Sequence, residues 1–283
     1  MILQAVYDEL VYGGHLLALG TASIACAVAL VAGLSPTIPL ALMAYLFTYG
    51  AYTVNRATEK EQDEISHPER TAYLNKRRRF LPAIAVACFL VGYVLAFGQN
   101  LYFFFALIVP LVLSILYSVR SRGVQRITGT RRLKDGLLVK NLVISFGWSL
   151  IPFLVGLYYL QVPEALVLLS PFIFMRLMEN TIFFDIRDVP ADVRYGTRTV
   201  PAVFGEKVTS RVLNLVDSLS IIYLVAAVIL RLLPGVALPL VVFPLYSFCY
   251  RLLLRRANEN VVRDLMADGE YILWMPVILL GKI

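Results

Sequence analysis

The sequence predicts an all-α, multi-pass transmembrane helical bundle of about nine helices, and three observations carry that prediction. The chain is 59% hydrophobic with only 16% charged residues, whereas soluble domains run near a quarter charged. Its mean hydropathy is positive. Long apolar runs recur with short breaks between them, each close to the roughly 20 residues that a helix needs to cross a bilayer. Read between charged or Pro/Gly breaks, the runs fall at about 16–34, 37–55, 80–97, 101–119, 138–160, 165–184, 209–232, 236–253 and 269–282. The last is the weakest, because GEYILWMPVILLGKI is short and contains Pro276. No linker or low-complexity segment divides the chain, so residues 1–283 are expected to form a single domain.

The connectors alternate. Those after the first, third, fifth and seventh runs are short and nearly uncharged, and those after the second, fourth, sixth and eighth are long and basic. Of the 26 basic residues only Arg231 and Lys282 fall on the poor side. Lys and Arg collect in cytoplasmic loops, so the N-terminus and the long loops are expected in the cytoplasm. The same rule accounts for the net charge of +7, and no nucleic-acid partner is expected. Cys26, Cys88 and Cys249 lie inside apolar runs without metal-ligand spacing and are read as small core residues. The start, MILQAVYDELVYGGH, has no basic region followed by a cleavage site, so a removed signal peptide is not expected.

Two acidic clusters stand at matching helix ends. The second run leads into NRATEKEQD (55–63), where Asn55, Glu59 and Asp63 recur every four positions and share one helical face. Pro68 pushes the residue before it out of the helical region, so the helix should stop there and Arg70 should begin a loop beside the acids. The sixth run ends in DIRDVPAD (185–192), where Asp185, Asp188 and Asp192 share a face provided that the helix survives Pro190. Glu59 and Asp188 are as far apart in sequence as Asp63 and Asp192, which suggests an internal four-helix repeat. Converging carboxylates at a membrane boundary repel one another unless a cation neutralises them. A hard divalent ion suits oxygen ligands, and Mg²⁺ (or Mn²⁺) is typically held by one or two carboxylates together with substrate phosphates. Such an arrangement can polarise a diphosphate as a leaving group.

These motifs resemble those of the UbiA superfamily of intramembrane prenyltransferases, over about Tyr45 to Gly205. The family carries an NDxxDxxxD-type first motif and a DxxDxxxD second motif at the cytoplasmic ends of its second and sixth helices. Asp185, Asp188 and Asp192, followed by Gly196, Thr197, Arg198, Thr199, Val200 and Pro201, match the second motif and its G-x-(R/K)-T-(L/V)-P tail. The first motif departs from the pattern, with Arg56 in place of an Asp and Glu59 in place of the central Asp. Ser66, His67, Pro68, Glu69 and Arg70 resemble its N-x-P-x-R tail. Tyr117 and Ser118, then Leu133, Lys134 and Asn141, resemble the family loop with a Lys seven residues before an Asn. The resemblance implies that Asn55, Glu59, Asp63, Asp185, Asp188 and Asp192 hold the metal. It further implies that Arg70, Lys134, Asn141 and Arg198 meet the donor, with Asp63, Asp188 and Lys134 carrying the chemistry, while Arg56, where the motif departs, is expected either to reach a phosphate or to mark the interface.

On this expectation an isoprenoid diphosphate enters through the membrane with its tail among lipid-facing helices. Bond breaking creates an allylic cation, which aromatic faces can stabilise. Tyr45 and Tyr52 share a side with the first cluster, and Phe174 and Phe184 lie near Asp188 on the sixth helix. The expected acceptor is lipophilic, with an aromatic ring placed ahead of a hydroxyl-bearing lipid precursor. Arg176 and Glu179 lie inside the sixth run and can pair with each other, while His15 and Asp217 stay unassigned. A cation-coupled transporter is the alternative from another class, although carriers place their sites near the bilayer midplane and these acids stand at helix ends. A noncatalytic scaffold is disfavoured by the complete second motif.

Overall fold

The apolar runs become helices, and no strand occurs among the residues that this computed structural model describes, namely 2–58, 60–112, 136–254 and 261–282. A short α1 (Ile2–Tyr7) and a π-helical turn (Asp8–Tyr12) precede α2 (His15–Val31). The first acidic stretch is carried by α3 (Ile38–Thr58) and α4 (Lys60–Ser66), and α5 (Pro68–Asn75) follows. Next come α6 (Leu81–Gln99) and α7 (Leu101–Ala106). The run predicted at 138–160 is two helices, α8 (Val139–Ser149) and α9 (Ile151–Tyr159), divided just before Pro152. The second acidic stretch ends α10 (Glu164–Tyr195), which leads into α11 (Val200–Ile229) and α12 (Val242–Leu253). The chain finishes with a π-helical stretch (Val261–Ala267), a 3₁₀ turn (Glu270–Leu273) and α13 (Trp274–Leu280).

Among the described residues five helical stretches, Arg78–Gln99, Val139–Tyr159, Glu164–Tyr195, Val200–Ile229 and Gly235–Leu253, are long and apolar enough to cross a membrane, and six if the bent pair Ile2–Tyr12 and His15–Val31 forms one span. The chain is an integral membrane protein of helical-bundle fold. Helix α3 is polar for a span because Tyr45, Thr48, Tyr49, Tyr52 and Thr53 sit along it. It packs between α2 and α6, while α10 packs against α8 and α11. The main core gathers Phe172, Phe243, Tyr271 and Trp274, and a smaller one of Ile182, Phe183, Tyr250 and Val262 lies under the second acidic stretch.

Two prolines act differently from expectation. Pro68 does end α4, since His67 takes φ −140° and ψ 60°, but it also occupies the first turn of α5. A proline there forfeits a donor that has no intrahelical partner anyway, so Arg70 stands on a helix and not in a loop. Pro190 leaves α10 unbroken, and the helix runs on for 32 residues to Tyr195, closed by Gly196 at φ 74°. An interior proline costs about 3 kcal/mol or more in a helix; here Asp185, Asp188 and Asp192 are tied to neighbouring elements on either side of it. At 1.5 Å per residue α10 measures about 48 Å, well beyond the roughly 30 Å of a bilayer core. The three cysteines are free, but Cys249 is exposed and only Cys26 is fully buried, which corrects their reading as core residues.

Candidate active site

Helix α3 brings Asn55 to a cavity of about 210 Å³, lined mostly by apolar side chains. Asn55, Tyr52 and Phe47 of α3 line it, together with Phe89, Phe103 and Trp148 from surrounding helices. Tyr45 occupies the adjoining face of α3, where its ring stacks near those of His15 and Tyr49. Arg56 reaches the N-terminal turn and donates from Nη1 to the Tyr12 carbonyl at 2.7 Å. Its guanidinium packs against Gly14, whose φ of 92° and lack of Cβ make room for it. Glu59 and Lys134 lie outside the described residues.

Asp63 on α4 accepts from Arg70 Nη2 at 2.8 Å. The backbone N–H of His67 donates to the Asp63 carbonyl at 2.7 Å, and this tight turn aims the imidazole at α10. There His67 Nε2 lies 3.4 Å from Asp188 Oδ1 and 3.4 Å from an Arg187 Nη2. Helix α4 itself packs on α10. The ends of the two acid-bearing helices therefore meet.

On the α10 side Asp185 is fully buried and accepts from Lys140 Nζ and Asn141 Nδ2, each at 2.7 Å. Lys140 also stands 3.4 Å from Asp188 Oδ2. Asp192 accepts from Thr199 Oγ1 at 2.9 Å, so the tail of the motif folds back onto its last acid. Arg198 is exposed between α10 and α11. Phe184 packs beneath the Arg187 guanidinium, 5.4 Å from its centroid, and Phe174 is half-buried on α10, outside the cavity wall.

Burial and the neighbouring Arg70 charge push the His67 imidazole down to about 4, so the ring is neutral at neutral pH and one of its nitrogens lacks a proton. A single Nε2 cannot both accept from Arg187 and donate to Asp188. Asp188 Oδ1 is left buried with no hydrogen-bond partner. Such an orphaned carboxylate oxygen costs free energy until a donor or cation arrives.

His67, Lys140, Arg187 and Asp264 are site residues that the sequence did not single out. Lys140 is next to Asn141, and His67 and Arg187 sit within the motifs, so their positions were signalled though their contacts were not. Asp264 accepts from Arg187 Nη1 at 2.8 Å, a partnership across the chain that no local pattern announces. Asp268 lies one turn further on, and burial and Asp264 push its carboxyl up to about 7 against the pull of Arg187, Arg56 and Arg70.

Among the described residues no three His, Cys, Asp or Glu side chains stand close enough to enclose a metal ion. Arg70 and Lys140 set positive charge beside Asp63, Asp185 and Asp188. The oxygen-only donor set and the open Asp188 Oδ1 nevertheless fit a hard divalent cation whose remaining ligands come from a phosphate group and water.

A helical bundle in which two acid-bearing helix ends meet, with Asn55 of the first cluster lining an apolar cavity, defines the class, an integral membrane protein. The chain belongs to the UbiA prenyltransferase family, whose profile matches residues 16–266. No curated protein matches it. Among solved structures, a UbiA homolog from Archaeoglobus fulgidus bound to GPP and Mg²⁺ is 14% identical with a TM-score of 0.66, covering 97% of this chain and 99% of that one. A UbiA homolog from Aeropyrum pernix K1 is 16% identical with a TM-score of 0.65, covering 95% and 97%. A digeranylgeranylglyceryl phosphate synthase is 16% identical with a TM-score of 0.58, covering 99% and 97%. At these identities the likeness is one of fold.

Proposed function

We propose that this chain transfers a prenyl group from an isoprenoid diphosphate to a lipophilic acceptor, using Mg²⁺ at the carboxylates. The observation that carries this is the approach of His67 to Asp188, which sets two acid-bearing helix ends side by side near the cavity that Asn55 lines. Family membership supports it, as do the GPP, DMAPP and Mg²⁺ bound to the Archaeoglobus fulgidus homolog of the same fold.

Asp63 and Asp188, with Asn55 and Glu59, are the groups that would hold Mg²⁺. When bound, the ion balances the carboxylates and polarises the diphosphate as a leaving group. Asp185 has both oxygens engaged by Lys140 and Asn141, so its part is to aim those two donors at the diphosphate. Lys140 and Arg70 supply fixed positive charge where negative charge grows on the departing group, a part that the family resemblance gives to Lys134. Asp192 and Thr199 hold the end of α10 in place. Inside the cavity, Tyr52 and Trp148 offer rings to the allylic cation, and the apolar walls keep out the water that would otherwise capture it.

The acceptor binds from the membrane side of the same chamber. An aromatic ring carbon is the first candidate nucleophile, and a hydroxyl-bearing lipid precursor is the second, favoured by the fold shared with a digeranylgeranylglyceryl phosphate synthase. The N-terminus and the loops carrying the acids face the cytoplasm by the distribution of Lys and Arg. Cation-coupled transport fits less well, because carriers bind at broken helices near the midplane, whereas Asp185, Asp188 and Asp192 occupy the last turns of an unbroken helix.

The test is diphosphate release by purified protein given geranyl diphosphate and a panel of lipophilic acceptors. Release is expected with Mg²⁺ and is expected to vanish on chelation. Equal release after chelation would contradict the mechanism.

A further inference from the structure

The stretch Val261–Leu273 is fastened along one face of α10. Arg176 Nη2 reaches Glu270 at 2.9 Å, and Asn180 Nδ2 donates to the Ala267 carbonyl at 3.3 Å. Arg263 Nη1 donates to the Phe183 carbonyl at 2.9 Å, with its guanidinium 4.9 Å from the Phe183 ring centroid. Arg187 Nη1 donates to Asp264 Oδ1 at 2.8 Å. Positions 176, 180, 183 and 187 follow the spacing of a single helical face. The first three contacts fix where the segment lies, and the fourth reaches the site.

Arg187 stands between Asp185 and Asp188 in sequence, and its charge acts on Asp188. If it turned onto Asp188, it would occupy the carboxylate that a divalent cation and a diphosphate need. It does not do so. One Nη donates to Asp264, another faces His67 at 3.4 Å, and Nε is buried without a partner, so two contacts decide where this guanidinium rests. The Arg187–Asp264 pair is also well shielded, with side-chain exposures of 11% and 13%, which lets the charge attraction act with less screening than at a surface.

We infer that Asp264 is a positioning residue of the diphosphate site, which holds Arg187 against the C-terminal segment and so keeps Asp188 open. The inference rests on the prenyl-diphosphate reading. It assigns a function to Asp264, 72 residues beyond Asp192 of the second motif, in a segment that carries no recognisable motif of its own. Outer groups that orient a metal site commonly change its affinity about 10–100-fold when removed.

The test is calorimetric binding of geranyl diphosphate in MgCl₂ to the full chain, with the melting temperature of every variant recorded alongside. Asp264→Asn is expected to weaken Mg²⁺-dependent binding by about tenfold, because Arg187 is released toward Asp188. Asp264→Glu should restore most of it. Removing the released arginine as well, in Arg187→Gln/Asp264→Asn, should recover binding relative to Asp264→Asn alone, a rescue that a purely structural staple would not show. Asn180→Ala loosens the same segment without touching Arg187 and should lower the melting temperature while leaving binding unchanged. Unaltered binding in Asp264→Asn, an equal loss in Asn180→Ala, or a double variant weaker than the single one would each overturn the inference. Absence of any Mg²⁺-dependent binding by the unsubstituted chain would instead overturn the functional reading, and the inference with it.

Discussion

Asp188→Asn is expected to lower donor turnover by about 10²–10³-fold, the range seen when a preorganised electrostatic partner of the reacting group is removed, while leaving the protein folded. Asp188 is the one described carboxylate that faces both halves of the site, with Lys140 at one oxygen and His67 beside the other. Its Oδ1 has no hydrogen-bond partner, so the fold does not depend on that oxygen. The substitution keeps the shape and removes the charge. The assay is diphosphate release at saturating Mg²⁺, paired with a melting curve in detergent. Wild-type turnover in a normally folded variant would remove Asp188 from the chemistry.

The second large effect is on stability. Arg176→Met is expected to destabilise the bundle by about 3–5 kcal/mol, the cost of breaking a buried ion pair by deleting one partner. Arg176 is fully buried and contacts Asp217, Glu270, Ser247 and, more distantly, Glu179 at 3.5 Å. Arg251 closes the network by pairing with Glu179 and Asp217. Without Arg176, Arg251 would still meet Glu179 and Asp217, whereas Glu270 would lose the guanidinium it now meets in a dry interior, where unpaired charge is least tolerated. Thermal unfolding of detergent-solubilised protein reads the effect, and an unchanged melting temperature would show that the network does not hold these helices together. From the sequence, Arg176 and Glu179 could be matched with each other by their spacing of three, but Asp217 and Glu270 could not. Their partnership depends on how α10, α11 and the C-terminal segment pack, and that packing leaves no local trace.

The same division runs through the rest of the molecule. Helix positions were legible because a span must be apolar for its whole length, and α2, α6 and α11 lie close to the runs that predict them. The prolines were read less well, since Pro68 both ends one helix and starts the next, and Pro190 is carried within a helix braced from both sides. In the site, the spacing of Asp185, Asp188 and Asp192 identified one helix face. What the spacing could not express is that Lys140, His67 and Thr199 would each meet one of those acids, because these contacts are made between elements. Aromatic residues show this most plainly. Of the four selected by position, Tyr52 lines the cavity, whereas Phe47 lines it from the same helix without having been selected, and Phe89 and Trp148 reach it from other runs.

The central claim is that the carboxylates of both helix ends serve one metal and one diphosphate. Anomalous scattering from crystals grown with Mn²⁺ and geranyl diphosphate tests it most directly. Manganese peaks are expected in contact with both Asp63 and Asp188, with the diphosphate beside Lys140 and the prenyl chain in the cavity along α3. Manganese bound away from these residues, or diphosphate density at another face of the bundle, would contradict the account.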